Sequence, residues 1–220
     1  MVVKKIVLIS TSIHTGAFMN SLFVREFPKI IIRNIIDDGL VKEIIANNGI
    51  ISPNLVRRVC SYILSAETSG ADLVVITCST ISCIAMMVKH LVKIPIMRID
   101  EPMAELAVKK GERIKVLATL SSTLTPTMQL IKEKCQQQGK KVVLDGFLIN
   151  KARQFLDEGN PKKHDQIIKE EIENALENYD LVILAQASME RVLNTLSAEK
   201  QKRVLVSPKL AVEYIKRKFF

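Results

Sequence analysis

A chain of 220 residues, 48% apolar and 25% charged, is long enough for one large or two small domains on the usual scale of roughly 150 residues each, and this composition excludes a disordered, collagen-like or low-complexity protein. Its formal charge of +9 is scattered in pairs such as Lys109-Lys110, Lys140-Lys141 and Lys162-Lys163, with 5% aromatics and no Trp, so no nucleic-acid partner is expected and the lysine-rich surface suits anionic metabolites. Four irregularly spaced cysteines, Cys60, Cys78, Cys83 and Cys135, with no Cys-x-x-Cys pair, exclude a disulfide framework and point to the reducing cytoplasm.

In chain order, short aliphatic and β-branched runs alternate with longer amphipathic stretches, the signature of βαβ units around a mostly parallel sheet. The predicted strands are 5–9, 30–35, 73–77, 94–98, 114–119, 141–144, 181–185 and 204–207, with helices between them. After the first strand, Ser10, Thr11, Ser12 and His14 interrupt anything resembling a signal peptide. Pro53 suits the first turn of a helix running to about Thr68. The uncharged stretch 73–88 is too short to span a bilayer and contains Thr77, Ser79, Thr80 and Ser82, so no membrane segment is expected. Pro126 is expected to open a helix over 127–138 that stops at Gly139. The run Glu158-Gly159-Asn160-Pro161 breaks one helix, and His164 begins the next.

The chain also repeats itself. A shift of 108 residues lays Asp72-Leu73-Val74-Val75-Ile76 over Asp180-Leu181-Val182-Ile183-Leu184, Ile6 over Ile114 and Thr11 over Thr119. The expected fold is therefore α/β, with two pseudo-symmetric lobes, each a mostly parallel sheet flanked by helices, and an active site in the cleft between them. The first lobe is placed at 1–100 joined by 205–220, and the second at 101–204.

Open parallel sheets bind ligands at the carboxyl ends of their strands. Those ends carry Ser10-Thr11-Ser12, Thr77-Cys78-Ser79-Thr80, Thr119-Leu120-Ser121-Ser122 and Gln186-Ala187-Ser188. Hydroxyl-rich turns that run into helix N-termini offer N–H groups, side-chain donors and a favourable dipole to a carboxylate, although Ser and Thr are equally at home as plain helix caps. Cys78 is the side chain here that acts most readily as a nucleophile or carbon base. The other three cysteines fall within helices, where they pack as small hydrophobes. Among the histidines, His90 and His164 are read as surface helix residues. No His/Asp/Glu/Cys cluster has metal-ligand spacing, and there is neither a phosphate loop nor a dinucleotide fingerprint, so no metal or cofactor is expected.

The strand end Val75-Ile76-Thr77-Cys78-Ser79-Thr80, the strand Val116-Leu117-Ala118-Thr119 with its Ser121-Ser122-Thr123 turn, and the repeated Asp180-Leu181-Val182-Ile183-Leu184 together resemble the aspartate/glutamate/hydantoin racemase superfamily over essentially the whole chain. The strings Arg98-Ile99-Asp100-Glu101-Pro102-Met103 and Ala185-Gln186-Ala187-Ser188-Met189 resemble a branch apart from its best-known racemases. The resemblance implies cofactor-independent chemistry of the kind run by amino-acid racemases, maleate isomerase and arylmalonate decarboxylase. It implies Cys78 as the catalytic cysteine of the first lobe, and Thr119, Ser121 and Ser122 as carboxylate-binding positions. Thr11, Ser12, Ser79, Thr80, Gln186 and Ser188 complete the expected substrate-binding set.

The 108-residue shift carries Cys78 onto Gln186, where two-cysteine racemases have their second thiol. Gln exchanges no protons, whereas two-base racemisation needs an acid or base on each face of the carbanion. His14, Asp100 and Glu101, beside predicted strand ends, and Glu190, just inside the helix after Gln186, are candidates for the missing group, with plain alternatives such as Glu101 as a helix cap, His14 as a loop hydrogen-bonder and Glu190 facing water. The expected function is a racemase or isomerase that transfers a proton at a carbon next to a carboxylate. The competing readings are a single-thiol decarboxylase or cis–trans isomerase of a small dicarboxylate, and a non-catalytic carboxylate-binding protein. The expected partner is a small carboxylate-bearing metabolite, with a homodimer as the assembly.

Overall fold

Runs such as Ile6-Val7-Leu8-Ile9 and Leu181-Val182-Ile183-Leu184 are apolar at every position because both faces of their strands are covered. The computed structural model, which describes residues 3–220, contains eight strands among those residues, in two four-stranded sheets. The first has the order β2 (Ile31–Ile36), β1 (Lys5–Ser10), β3 (Leu73–Ile76), β4 (Ile96–Arg98). The second has the order β6 (Val143–Leu148), β5 (Arg113–Ala118), β7 (Leu181–Leu184), β8 (Val204–Val206). All pairings are parallel. The chain divides into two compact units, one running to Ile99 and taking back Ala211–Phe220, the other Asp100–Leu210.

In the first unit, α1 (Ile13–Glu26) and α10 (Ser207–Phe219) cover one face of the sheet, while α2 (Gly39–Ala46), α3 (Pro53–Thr68) and α4 (Ser79–Val88) cover the other. In the second, α5 (Glu101–Lys110) and α6 (Ser121–Gln138) pack on one face. The other face takes α8 (Pro161–Leu176), the 3-10 helix Ala187–Thr195 and Ala152 of α7 (Asn150–Asp157), with the short α9 (Ala198–Gln201) leading into β8. Each fourth strand thus feeds a helix into the other unit's core. Met103, Ala104 and Ala107 of α5 pack with Ile114 and Val116, and Ala211, Val212 and Ile215 of α10 pack with Ile6 and Leu8. Among the described residues no helix is long and apolar enough to cross a membrane.

The repeat is structural. β1 and β5, β3 and β7, and β4 and β8 begin 108 residues apart. One device recurs at the same spacing. Asp72 Oδ2 accepts from the Lys4 and Lys5 N–H groups at 2.8 and 2.9 Å, and Asp180 Oδ2 accepts from the Glu112 and Arg113 N–H groups at 2.9 and 2.8 Å. Each carboxylate pins the entry of a central strand to the strand beside it. The Arg113 and Glu112 amides hold the Asp180 carboxyl below its ordinary range. A depressed folded pKa contributes stability above the unfolded value of about 3.9, lost as pH falls through the folded value. Asp180→Ala is expected to cost about 1–2 kcal/mol, the scale of hydrogen bonds to a charged group. Urea unfolding at neutral pH and in acid checks this, since the variant's deficit must shrink in acid.

Three expectations are corrected. α6 begins at Ser121, where the Thr123 and Leu124 N–H groups reach Leu120 O at 3.1 and 3.0 Å, so Pro126 lies inside the helix. As the sixth helical residue it forgoes the bond an N–H there would make to Ser122 O. β6 runs Val143–Leu148 where 141–144 was expected: it starts two residues later and continues through Asp145 and Gly146. A Cβ at Gly146 would sit 3.2 Å from Leu124 Cδ1 and 3.3 Å from Met128 Sδ, so that glycine admits α6 close to the edge strand. His164 lies in the second turn of α8, which opens at Pro161 under an Asn160 cap, and it is fully buried. His90 is exposed, as expected.

Candidate functional site

At the carboxyl end of the first sheet, β1 and β3 are tied by hydroxyls. Thr77 donates to Ile9 O at 3.1 Å and accepts from Ser10 Oγ at 2.7 Å. One residue beyond that tie, just past the ends of both strands, come Thr11 and Cys78, the positions that would continue the register pairing Ile9 with Ile76. Thr11 is 8% exposed, yet neither its N–H nor its hydroxyl makes a hydrogen bond among the described residues. Ser12 caps α1 by accepting from Thr15 N–H at 3.4 Å, and His14 lies exposed in that helix's first turn.

Cys78 is the extended N-cap residue of α4, half-buried, and its side chain makes no capping hydrogen bond. Its carbonyl receives Ile81 N–H at 3.3 Å and Ser82 Oγ at 3.0 Å, which fixes the turn. Ser79 and Thr80 are buried in the first turn of α4. The thiol therefore belongs to the residue that opens α4, ahead of the helix's first N–H groups. Cys60 and Cys135 lie in helix bodies, where burial pushes their thiols up. Cys83 lies within α4, its thiol making a long contact of 3.9 Å to Thr80 O.

In the second unit the equivalent end is built differently. Ser10 and Thr77 become Ala118 and Ala185, so the hydroxyl bridge is gone. In its place Gln186, with nearly the backbone angles of Cys78 (φ −127°, ψ 134° against φ −128°, ψ 118°), turns its amide across the strand ends. Gln186 Oε1 accepts from Thr119 N–H at 2.6 Å and from Thr119 Oγ1 at 3.0 Å. Both Thr119 donors are thus committed within the protein. Ser121 is exposed, Ser122 half-buried and Ser188 exposed.

Glu101 opens α5 and accepts a hydrogen bond from Lys134 Nζ at 2.6 Å, and Lys134 also reaches Glu105 at 2.9 Å. Its carboxylate is placed in an ion pair between α5 and α6. Glu190 stands 3.7 Å from Lys209. Arg98 and Asp100 are buried. Sequence reading passed over a cluster at the end of β2, where Asp37 accepts from Arg58, from Tyr62 at 2.6 Å and from Gly39 N–H at 3.0 Å. Burial alone would raise the Asp37 carboxyl, and the bonds from Tyr62 and Arg58 outweigh it and hold it low. The pair Asp37-Asp38 directly after an aliphatic run was the available signal. Among the described residues no three His, Cys, Asp or Glu side chains are grouped to hold a metal ion.

Among solved structures, an allantoin racemase from Klebsiella pneumoniae is similar over 97% of this chain and 86% of its own, with a TM-score of 0.71 and 16% identity. A glutamate racemase isoform from Bacillus anthracis gives 0.70 and 14% over 97% and 80%, and an aspartate racemase from Picrophilus torridus 0.62 and 15% over 97% and 94%. At such identities the likeness speaks for the fold. A comparison with curated protein sequences finds no match. The family model described as Asp/Glu/Hydantoin racemase matches residues 31–215, and with most of its length matched, this chain belongs to the Asp/Glu/hydantoin racemase family.

Proposed function

We propose that the protein is a racemase- or isomerase-type enzyme that moves a proton at a carbon next to a carboxylate, without a cofactor, and that Cys78 is the thiol that does so. One observation carries the reading. Cys78 follows a central strand by two residues and caps α4, half-buried, with a side chain that makes no capping bond, in line with Thr11 and its unengaged donors past the end of the neighbouring strand. As a thiolate, Cys78 can take a proton from the substrate carbon and become the thiol, leaving the electron pair on a carbanion next to the carboxylate. The Thr11 N–H and hydroxyl, with the Ser12 and Ser79 turns, supply hydrogen bonds that strengthen as charge spreads from the carbanion onto the carboxylate.

A second reading is favoured by Gln186. Because the position equivalent to Cys78 holds an amide, a reaction that needs one thiol, namely decarboxylation or cis–trans isomerisation of a small dicarboxylate, competes with two-base racemisation of aspartate or glutamate.

Iodoacetamide labelling followed residue by residue tests the thiol. Cys78 is expected to react faster than Cys60 and Cys135, whose thiols burial disfavours as thiolates, and faster than Cys83. Succinate or malonate is expected to protect Cys78. Slow labelling of Cys78 without protection, alongside calorimetric binding of the same dicarboxylates, would favour a carboxylate-binding protein without chemistry.

A further inference from the structure

The two units solve the same problem in two ways, and the difference locates the ligand's oxygen. In the first, the ends of β1 and β3 are tied by Ser10 and Thr77, which leaves the next pair, Thr11 and Cys78, without a tie. In the second, alanines stand at both hydroxyl positions, and the residue equivalent to Cys78 ties the ends by reaching Thr119, the equivalent of Thr11. A Gln amide oxygen has two lone pairs, as each carboxylate oxygen does. Gln186 Oε1 uses both, one on an N–H and one on a hydroxyl of a single residue, at 2.6 and 3.0 Å. That is the geometry by which a ligand oxygen is held.

We propose that Gln186 is a positioning residue that fills the second unit's strand-end oxygen site from within, so that this chain has one working half-site, in which the Thr11 N–H and hydroxyl receive a carboxylate oxygen of the ligand. Three observations converge on it. Thr11 is more than nine-tenths buried with both donors unengaged among the described residues. The equivalent donors in the same chain are filled by an oxygen. The filling group springs from the position that Cys78 occupies in the first unit, so an oxygen held at Thr11 lies within one side chain's reach of residue 78 and brings the adjoining carbon to the thiol. The exchange is also self-consistent. A second thiol at position 186 would leave the Thr119 donors without their Gln186 acceptor, and the ends of β5 and β7 with no side-chain tie there, because Ala118 and Ala185 cannot form the hydroxyl bridge.

The inference rests on the proposed carboxylate chemistry for its meaning, and its test needs neither substrate nor turnover. Acetate is titrated into 15N-labelled protein while the Thr11 and Thr119 amide resonances are followed, to roughly 100 mM, well past the millimolar Kd that a few hydrogen bonds provide. In the wild type, Thr11 is expected to shift saturably and Thr119 to stay still, with Thr119 exchanging its amide hydrogen at least about tenfold more slowly than Thr11, as a hydrogen-bonded amide should. The variant Ala118→Ser/Ala185→Thr/Gln186→Ala rebuilds the hydroxyl bridge while emptying the site, and there Thr119 is expected to become responsive to acetate. Gln186→Glu, which retains an acceptor for Thr119, is expected to keep the slow exchange. A saturable response at Thr119 in the wild type, or silence at Thr11, overturns the proposal. So does a Thr119 that stays silent in the rebuilt variant. The titration repeated on Cys78→Ala separates the two ideas. A Thr11 response there supports the oxygen site whatever becomes of the thiol's role, and a silent Thr11 in the wild type, with its Cys78 labelling rapidly, sinks the oxygen site alone.

Discussion

Cys78→Ala is expected to lower turnover by at least the roughly 10²- to 10⁴-fold that a positioned acid or base contributes, and to leave the fold intact. The side chain is half-buried and makes no capping bond, so its removal falls outside the mechanisms that cost more than about 1 kcal/mol. The assay is wash-in of solvent deuterium next to the carboxylate, run over a panel containing aspartate, glutamate, maleate and substituted malonates. Label acquired with inversion marks a racemase, and release of carbon dioxide marks a decarboxylase. If Cys78→Ala exchanges label at the wild-type rate on any substrate the wild type turns over, the thiol has no part in the chemistry. Efficient interconversion of L- and D-aspartate or L- and D-glutamate by the wild type would show that a group other than a second cysteine serves the opposite face.

Lys134→Ala is expected to give the largest loss of stability from a single polar side chain. Lys134 is buried, and its ammonium is divided between Glu101 at 2.6 Å and Glu105 at 2.9 Å. These bonds fasten α5, the segment by which the chain enters its second unit, to α6. Breaking a buried ion pair from one side costs about 3–5 kcal/mol, and because both carboxylates keep some access to water, a loss of about 2 kcal/mol is expected here. Burial pushes the Lys134 ammonium down, and the bonds from Glu101 and Glu105 more than compensate, leaving it above the ordinary lysine range. A raised folded pKa means that the stabilisation is fully present below the unfolded value of about 10.4 and is lost as pH rises through the folded one. Urea unfolding of wild type and Lys134→Met, which retains most of the apolar stem, separates charge from packing. Their difference should be constant from neutral pH to about 10 and shrink above it, and equal stability at neutral pH would show that the ion pairs contribute nothing.

The parallel α/β class, seven of the eight strands to within about two residues, and the doubling of the unit were all legible in the amino-acid order. Strands buried on both faces must be apolar throughout, so runs such as 73–76 and 181–184 announce themselves, and a repeat in sequence is a repeat in core packing. The exposed edge strand β6 was the exception. Paired on one side only and half uncovered, it carries Asp145 and Gly146, which local chemistry reads as a turn and which only the approach of α6 explains. Position 186 was legible as a departure from a thiol, since the 108-residue shift compares residues of equal rank. What the amide does there was not, because a hydrogen bond to Thr119, 67 residues away, exists only once β5 and β7 lie side by side. The burial of His164 and the pairing of Glu101 with Lys134, 33 residues on, were decided in the same way. A side chain's type and local period fix which element it belongs to, whereas its partner is fixed by which elements the fold brings together.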